Sequence, residues 1–289
     1  MPFLTIFTPV YNRAFCISRL YESLCRQTRK DFEWIVVDDG STDNIEELIK
    51  RFSEEHVIEI QYFRQSNGGK HRAINNGLNH ANGDLFFIVD SDDYLTEDTV
   101  EWIAATAESI KDDNTFAGFS GIRITPAGVK IGGGKDFGTI DANALDIRYK
   151  YGVDGDLAEI YKTDILRQYP FPEFESERFC PEALIWNRIA QSYKLRYCYK
   201  GIYVCEYLPD GLTSRIIKIR RESPRASMQF YSELYHLPIG PVLKLKAAIN
   251  FWRFAFSPYR KEYNMISPLS LFAWFPGYLM RITDKRKLI

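Results

Sequence analysis

The sequence predicts an α/β fold: a mostly parallel central sheet flanked by helices, followed by a helical C-terminal extension. Three observations predict it. Short apolar runs alternate with segments of helical period over the first 110 of the 289 residues, as βαβ units with right-handed crossovers require. Four successive runs end in turn-forming or charged clusters, so unusual residues gather where strands stop. Beyond residue 225 the pattern becomes helical, aromatic and basic.

Residues 3–8 read as the first strand, closed by Pro9 in the segment Thr8-Pro9-Val10-Tyr11-Asn12-Arg13. Ile17, Leu20, Tyr21 and Leu24 recur at i, i+3, i+4 and i+7, the spacing of a helix with one buried face. Residues 32–37 form a second apolar run that passes straight into Asp38-Asp39-Gly40-Ser41-Thr42-Asp43. Ile45, Leu48, Ile49 and Phe52 then repeat at helical spacing, with Thr42 or Asp43 as the expected N-cap. Residues 57–63 alternate as a third strand and are followed by Asn67-Gly68-Gly69-Lys70 and a helix through Ala81. The fourth run, residues 85–89, ends in Asp90-Ser91-Asp92-Asp93, and Val100, Ile103, Ala104 and Ala107 mark the next helix.

The four clusters share one geometric consequence. In an open α/β sheet the ligand crevice lies outside the carboxyl ends of the strands, so all four clusters belong to one rim. Asp90, Asp92 and Asp93 place three carboxylates within four positions, and like charges that close repel unless solvent or a cation separates them. A solvated turn is one outcome. The other is a divalent metal, because carboxylate oxygens suit hard ions and magnesium is commonly held by one or two carboxylates plus substrate phosphates. Tyr11 can stack on a base, Asp39 can accept a ring N–H, Gly68 and Gly69 let backbone approach phosphate, and Lys70 adds positive charge. These residue types suit a nucleotide diphosphate compound.

Taken in order, Thr-Pro-Val-Tyr-Asn-Arg, Val-Val-Asp-Asp-Gly-Ser-Thr-Asp, Asn-Gly-Gly-Lys and Asp-Ser-Asp-Asp, spread over residues 3–110, resemble the inverting nucleotide-diphospho-sugar glycosyltransferases of family 2. That resemblance implies a GT-A fold, Rossmann-like, and metal-dependent transfer of a sugar, with UDP-sugar as the expected donor, to a hydroxyl of a glycan or lipid-linked acceptor in surface polysaccharide synthesis. It implies nucleotide binding by Pro9, Tyr11, Asn12, Arg13, Asp39, Asn67, Gly69, Lys70, Asp90 and Ser91, with Mn2+ or Mg2+ on Asp92. It also implies a general base in an acidic motif before a helix. Glu173, Glu175, Glu177 and Glu182 supply that motif, and Glu182 is favoured over Glu177 because it opens a helix whose Leu184, Ile185 and Ile189 would face the core. Many relatives carry Ala-Arg-Asn where this chain reads Ala73-Ile74-Asn75, so Lys70, His71 or Arg72 is expected to replace that charge.

Two other functions fit parts of the pattern. A sugar-nucleotide-binding protein without catalysis would keep the rim and lack a base. An aspartate-nucleophile phosphatase is loosely suggested by residues 37–42, although Gly40 stands where its second acid belongs.

The remaining chain is less regular. Residues 116–124 read as a strand and residues 157–161 as a return to the sheet after a loop at 151–156. Residues 128–138, with glycines at 132, 133 and 134, read as a mobile loop over the site or as a plain hairpin connection. Glu206 and Arg215 flank a segment read as a surface turn or as a lining of the diphosphate or acceptor side. The nucleotide-binding part is placed at 1–110, an acceptor-binding part at 111–225 and the extension at 226–289.

Composition bounds the rest. Five cysteines, scattered and without CxxC spacing, favour reduced thiols in a cytoplasmic protein and give no zinc signature. The most membrane-like stretch, residues 265–280, is interrupted by Pro268 and Pro276 and falls short of a span. Net charge is −1, but from Gly211 onward Lys and Arg number 14 against 4 Asp and Glu, leaving 23 against 34 for residues 1–210. A nucleic-acid partner is not expected. A basic tail carrying Phe251, Trp252, Arg253, Phe254, Tyr259, Arg260, Trp274 and Phe275 fits peripheral contact with the inner face of an anionic membrane, or packing on the catalytic domain.

Overall fold

The computed structural model describes residues 2–134, 136–205, 212–256, 259–260, 263 and 267–287, without the side chains of 212–215, 268–269 and 285–287. The chain divides into two compact units: Met1–Pro170 with Arg188–Tyr207, and Phe171–Asn187 with Leu208–Ile289.

The first unit is built on one mixed sheet. Its strands are β1 (Leu4–Val10), β2 (Phe32–Asp38), β3 (Glu59–Arg64), β4 (Leu85–Ile88), β5 (Tyr94–Leu95), β6 (Phe116–Ile124), β7 (Thr139–Ala142), β8 (Leu157–Lys162) and β9 (Lys194–Val204). Their order is β3-β2-β1-β4-β8-β6-β9-β5, with β7 also paired to β9. β1 to β4 are mutually parallel. β8 is antiparallel to both β4 and β6, and β9 is parallel to β6. The strands β1, β2, β3, β4, β6 and β9 therefore point their carboxyl ends toward one rim.

Helices α1 (Ile17–Cys25), α2 (Ile45–Glu54), α3 (Lys70–His80) and α4 (Thr99–Glu108) follow the first four strand ends or the short β5. Helical spacing placed Ile17, Leu20, Tyr21 and Leu24 on one face of α1, and all four are buried. α2 does likewise with Ile45, Ile49 and Phe52. β2 is buried along its whole length, including Glu33, because both sheet faces are covered. The Glu33 carboxylate accepts from Thr5 Oγ1 at 2.6 Å, Gln61 Nε2 at 2.7 Å, Asn82 N at 2.6 Å and Asn82 Nδ2 at 3.0 Å, so its buried charge is hydrogen-bonded on both oxygens. Shorter helices α5 (Ala144–Tyr149) and α6 (Thr163–Arg167) flank the later strands.

Two local expectations change, and of the two readings left open for residues 128–138 the hairpin is the one found. β1 continues through Pro9 to Val10 instead of stopping at Thr8. Phe7 O accepts from Val89 N on the β4 side and Val10 O from Asp39 N on the β2 side, so alternation turns the absent N–H of Pro9 toward β4, past its last pair at Ile88. The N-cap position of α2 is Asn44, because Asp43 Oδ2 accepts from Ala14 N at 2.9 Å and Thr42 is engaged by Asn12. Residues 125–130 form a tight hairpin turn closed by Thr125 N to Val129 O at 2.8 Å. Gly132 and Gly134 after it pack backbone to backbone against Gly152–Gly155, where a Cβ on Gly132 would lie 2.4 Å from Gly155 Cα. Two of the three consecutive glycines, Gly132 and Gly134, therefore serve a close approach.

The second unit carries α7 (Ala183–Ile189) through Asn187, and α8 (Leu212–Glu222), α9 (Pro224–His236), α10 (Pro241–Phe254) and α11 (Pro268–Lys287). Met228, Ala248, Phe251, Trp252, Phe254, Ala255 and Ala273 form its core. Gly277 lets α11 lie close on α10, since a Cβ there would meet Trp252 Cβ at 2.6 Å. Arg253 and Asp284 join the two helices through a bidentate pair at 2.6 Å per bond. No helix among the described residues is long and apolar enough to cross a membrane.

Candidate active site

The parallel register sets the rim. Val10 stands opposite Asp38, Asp38 opposite Arg64, and Phe7 opposite Ile88, so the loops after β1, β2, β3 and β4 leave the sheet side by side. Pro9 pairs with Val37 at the end of β1, and Tyr11 follows it with 49% of its surface exposed.

Hydrogen bonds tie these loops together. Asn12, at φ 54°, donates its N–H to Ser41 Oγ at 2.8 Å and accepts from Thr42 N at 2.8 Å. Asp39, only 5% exposed, holds the loop after β3: its Oδ1 accepts from Gly68 N at 2.7 Å and Gln65 Nε2 at 2.8 Å, and its Oδ2 from Gly69 N at 2.7 Å and Asn67 Nδ2 at 3.3 Å. Gly40, at φ +79°, lets this happen, because a Cβ there would sit 2.9 Å from Asn67 N. The Gly68 and Gly69 N–H groups thus turn to Asp39, and Gly69 at φ 96° precedes α3. Asp38, 1% exposed, accepts from Ser41 N at 2.8 Å and Tyr62 OH at 2.7 Å.

The acids after β4 meet cations from three elements. Lys70 Nζ donates to Asp90 Oδ1 at 2.6 Å, so Lys70, one of the three residues expected to replace the missing arginine, brings charge to this carboxylate. Arg13 Nη2 lies 3.9 Å from Asp92 Oδ2, and Arg19 Nη2 donates to the Asp92 carbonyl at 2.6 Å. Ser91 is buried and its carbonyl receives the Cys16 thiol at 3.6 Å. Burial pushes that thiol up to about 11, so it stays protonated.

The sequence reading missed Arg123 and Tyr203. Arg123 Nη1 lies 3.7 Å from Asp90 Oδ2 and 3.9 Å from Asp93 Oδ2, with its guanidinium 4.3 Å from the centre of the Tyr203 ring. Tyr203 OH accepts from Asp90 N at 2.8 Å. Both stand near the carboxyl ends of β6 and β9, opposite one another in the register. A lone arginine inside the apolar run 116–124 was the available signal. Burial disfavours charge on Asp90, yet Lys70 and Arg123 hold it below the ordinary carboxylate value. Asp93 goes the other way: burial, then the negative charge of Asp90, push it up to about 6.

Asp92 and Asp90 are each about a quarter exposed, but Asp90 is bound by Lys70 at 2.6 Å, which leaves Asp92 the most available carboxylate of the three. Among the described residues no group of three or more His, Cys, Asp or Glu side chains is arranged to hold a metal alone. One carboxylate on a rim fits a hard divalent ion that takes its other ligands from substrate phosphates and water. The rim combines such an acid with exposed aromatic surface and cations.

Residues 5–133 match the family model described as glycosyl transferase family 2. That segment of the chain is similar to glycosyltransferase family 2. The chain is 42% identical over 99 residues to glycosyltransferase GlyA of Streptococcus pneumoniae, an alignment covering 34% of this chain and 14% of that protein. The match therefore spans only a small part of the relative's length. The crystal structure of Staphylococcus aureus TarS 1–349 in complex with UDP-GlcNAc superposes with a TM-score of 0.65 at 20% identity, covering 96% of this chain and 79% of that one. The mannosyltransferase PcManGT from Pyrobaculum calidifontis, in complex with GDP-Man and Mn2+, superposes with a TM-score of 0.59 at 18% identity over 98% of this chain and 88% of that one. The chain has the GT-A type of fold.

The expected base lies in the second unit. Glu182 directly precedes α7, its carbonyl accepting Ile185 N at 2.9 Å, and Leu184, Ile185 and Ile189 are buried as expected. Glu177 plays a structural part instead. It is 4% exposed, accepts from Arg225 N at 2.7 Å and Ala226 N at 2.9 Å, and so caps the start of α9. Glu206 and the Arg215 side chain lie outside the described residues.

Proposed function

We propose that this chain is an inverting glycosyltransferase of family 2 that moves a sugar from a nucleotide diphosphate donor, a UDP-sugar, to a hydroxyl of a glycan or lipid-linked acceptor in surface polysaccharide synthesis. The observation that carries this reading is the joining of four strand-end loops into one bonded rim that carries an exposed aromatic, Tyr11, and a partly exposed carboxylate, Asp92.

In this reading Tyr11 stacks on the base while Asn12 and Ser41 fix the loop that carries it. Asp39 keeps the Asn67–Gly69 turn in place and with it Lys70. Asp90, tied to Lys70 and Arg123, faces the ribose, and Arg13 and Ser91 border the diphosphate. Asp92 would hold Mn2+ or Mg2+, which when bound supplies positive charge to the departing diphosphate. Glu182 takes the acceptor proton as general base while the acceptor oxygen displaces the nucleotide from the anomeric carbon. Glu177 is unsuited to that role because both its oxygens are engaged by α9.

The test is a thermal-shift screen of the full chain with UDP- and GDP-sugars, with and without Mn2+, since a ligand bound to the native state raises apparent stability. A UDP-sugar that stabilises more strongly with metal is the expected result. No response to any nucleotide sugar under either condition overturns the reading. Separate assays of donor hydrolysis and transfer distinguish a non-catalytic sugar-nucleotide binder, which binds and turns over nothing.

A further inference from the structure

The second unit carries a surface that the transfer reading does not use. α11 buries Ala273, Gly277 and Asp284 on its inner side, and turns a continuous apolar face outward. Leu271 is 58% exposed, Phe272 80%, Phe275 59%, Tyr278 39% and Leu279 46%. These positions recur at one, three and four residue steps, so at 3.6 residues per turn they share one stripe. Such a stripe on a soluble domain marks an interaction surface.

Charge identifies what covers it. In α11 the cations Arg281, Lys285, Arg286 and Lys287 follow the stripe, and the sole acid, Asp284, is 7% exposed and neutralised by Arg253. At the same end Phe256, Trp274 and Tyr278 cluster, with Trp274 and Tyr278 stacked at 5.6 Å and the Arg281 guanidinium 5.3 Å from the Phe256 ring. Burial, then the positive charge of Arg221, hold Arg281 below its ordinary value, and Arg221 Nη1 is itself buried with no hydrogen-bond partner among the described residues. Arg281 thus stands beside another cation, and by sequence the three cations after Asp284 add only positive charge to this end of the helix. A second copy in an isologous contact would set like-charged rows against each other, whereas an anionic lipid surface meets both the apolar stripe and the cations.

We propose that the outer face of α11 lies in the interface of an anionic lipid bilayer, with Phe272 and Phe275 seated among the acyl chains and the C-terminal cations on the headgroup phosphates. The helix lies on the membrane and does not span it, since its cations follow the apolar stripe within the same helix. This inference is independent of the donor site.

The experiment is co-sedimentation of the full chain with vesicles of phosphatidylcholine alone and of phosphatidylcholine mixed with phosphatidylglycerol, beside the double variant Phe272→Glu/Phe275→Glu. Both positions are exposed, so the variant should keep the wild-type melting temperature. The expected results are preferential binding to the mixed vesicles, weakening with added salt, and a loss of about tenfold or more in partitioning for the variant. Equal binding to both vesicle types, wild-type binding by the variant, or no sedimentation with either vesicle overturns the proposal. So does light scattering that shows a wild-type dimer and a monomeric variant, which would assign the face to a second copy.

Discussion

Asp39 offers the sharpest separation between positioning and recognition. Its two oxygens receive Gly68 N and Gly69 N at 2.7 Å, Gln65 Nε2 at 2.8 Å and Asn67 Nδ2 at 3.3 Å, inside a site that leaves it 5% exposed. A hydrogen bond to a charged group contributes about 1.5–3 kcal/mol, and a buried donor left without an acceptor costs about 1–3 kcal/mol. Asp39→Ala orphans two backbone N–H groups at once, so a loss of about 3–5 kcal/mol is expected, a large share of the ~5–15 kcal/mol that holds a native domain. Asp39→Asn keeps one acceptor oxygen and turns an amide N–H toward a donor, which places its loss between, at about 1.5–3 kcal/mol. The assay is urea unfolding of wild type and both variants without nucleotide. A residue that served only to accept a base N–H would lower donor affinity and leave ligand-free stability alone. Wild-type stability in either variant, within about 0.5 kcal/mol, refutes the positioning argument.

Three further outcomes follow from the same geometry. Asp92→Ala should abolish metal-dependent transfer while changing stability by no more than about 0.5 kcal/mol, because that carboxylate is partly exposed and paired only at 3.9 Å; full activity of the variant under chelation would end the metal assignment. Glu182→Gln should lose transfer and keep donor binding, whereas Glu177→Gln should cost about 2 kcal/mol of stability by weakening two bonds to the start of α9; the reverse pattern would move the base to Glu177. Asp93 titrates near about 6 when folded and near ~3.9 when unfolded, so the native state binds more protons between those values and stability falls as pH rises through that window. Asp93→Asn should therefore gain about 2–3 kcal/mol relative to wild type between ~pH 4 and pH 7, and a flat difference across unfolding curves would count against the buried charge.

The first four strands and helices were legible because their signals are local. Period 2 or 3.6 within a dozen residues places Ile17, Leu20, Tyr21 and Leu24 on one face without any distant partner. Pro9 misled for the opposite reason. Whether a proline ends a strand depends on which neighbour its missing N–H would have faced, and that is a property of the pairing. Arg123 and Tyr203 were out of reach because they approach Asp90 only after β6 and β9 pair in the sheet, more than 100 residues from β4 in the case of Tyr203. The preference for Glu182 over Glu177 gained its physical reason only once the Glu177 carboxylate was seen to accept from Arg225 and Ala226.

By itself the sequence determined the α/β class, the four strand-end clusters and their order, because alternating periods and turn residues specify local conformation and a parallel sheet then forces those ends onto one rim. Only the tertiary structure decided which charges face each other there. Lys70 with Asp90, Arg13 beside Asp92 and a buried Asp93 that resists ionisation are set by register and burial, and electrostatic energies follow distances in space, which residue order along the chain does not contain.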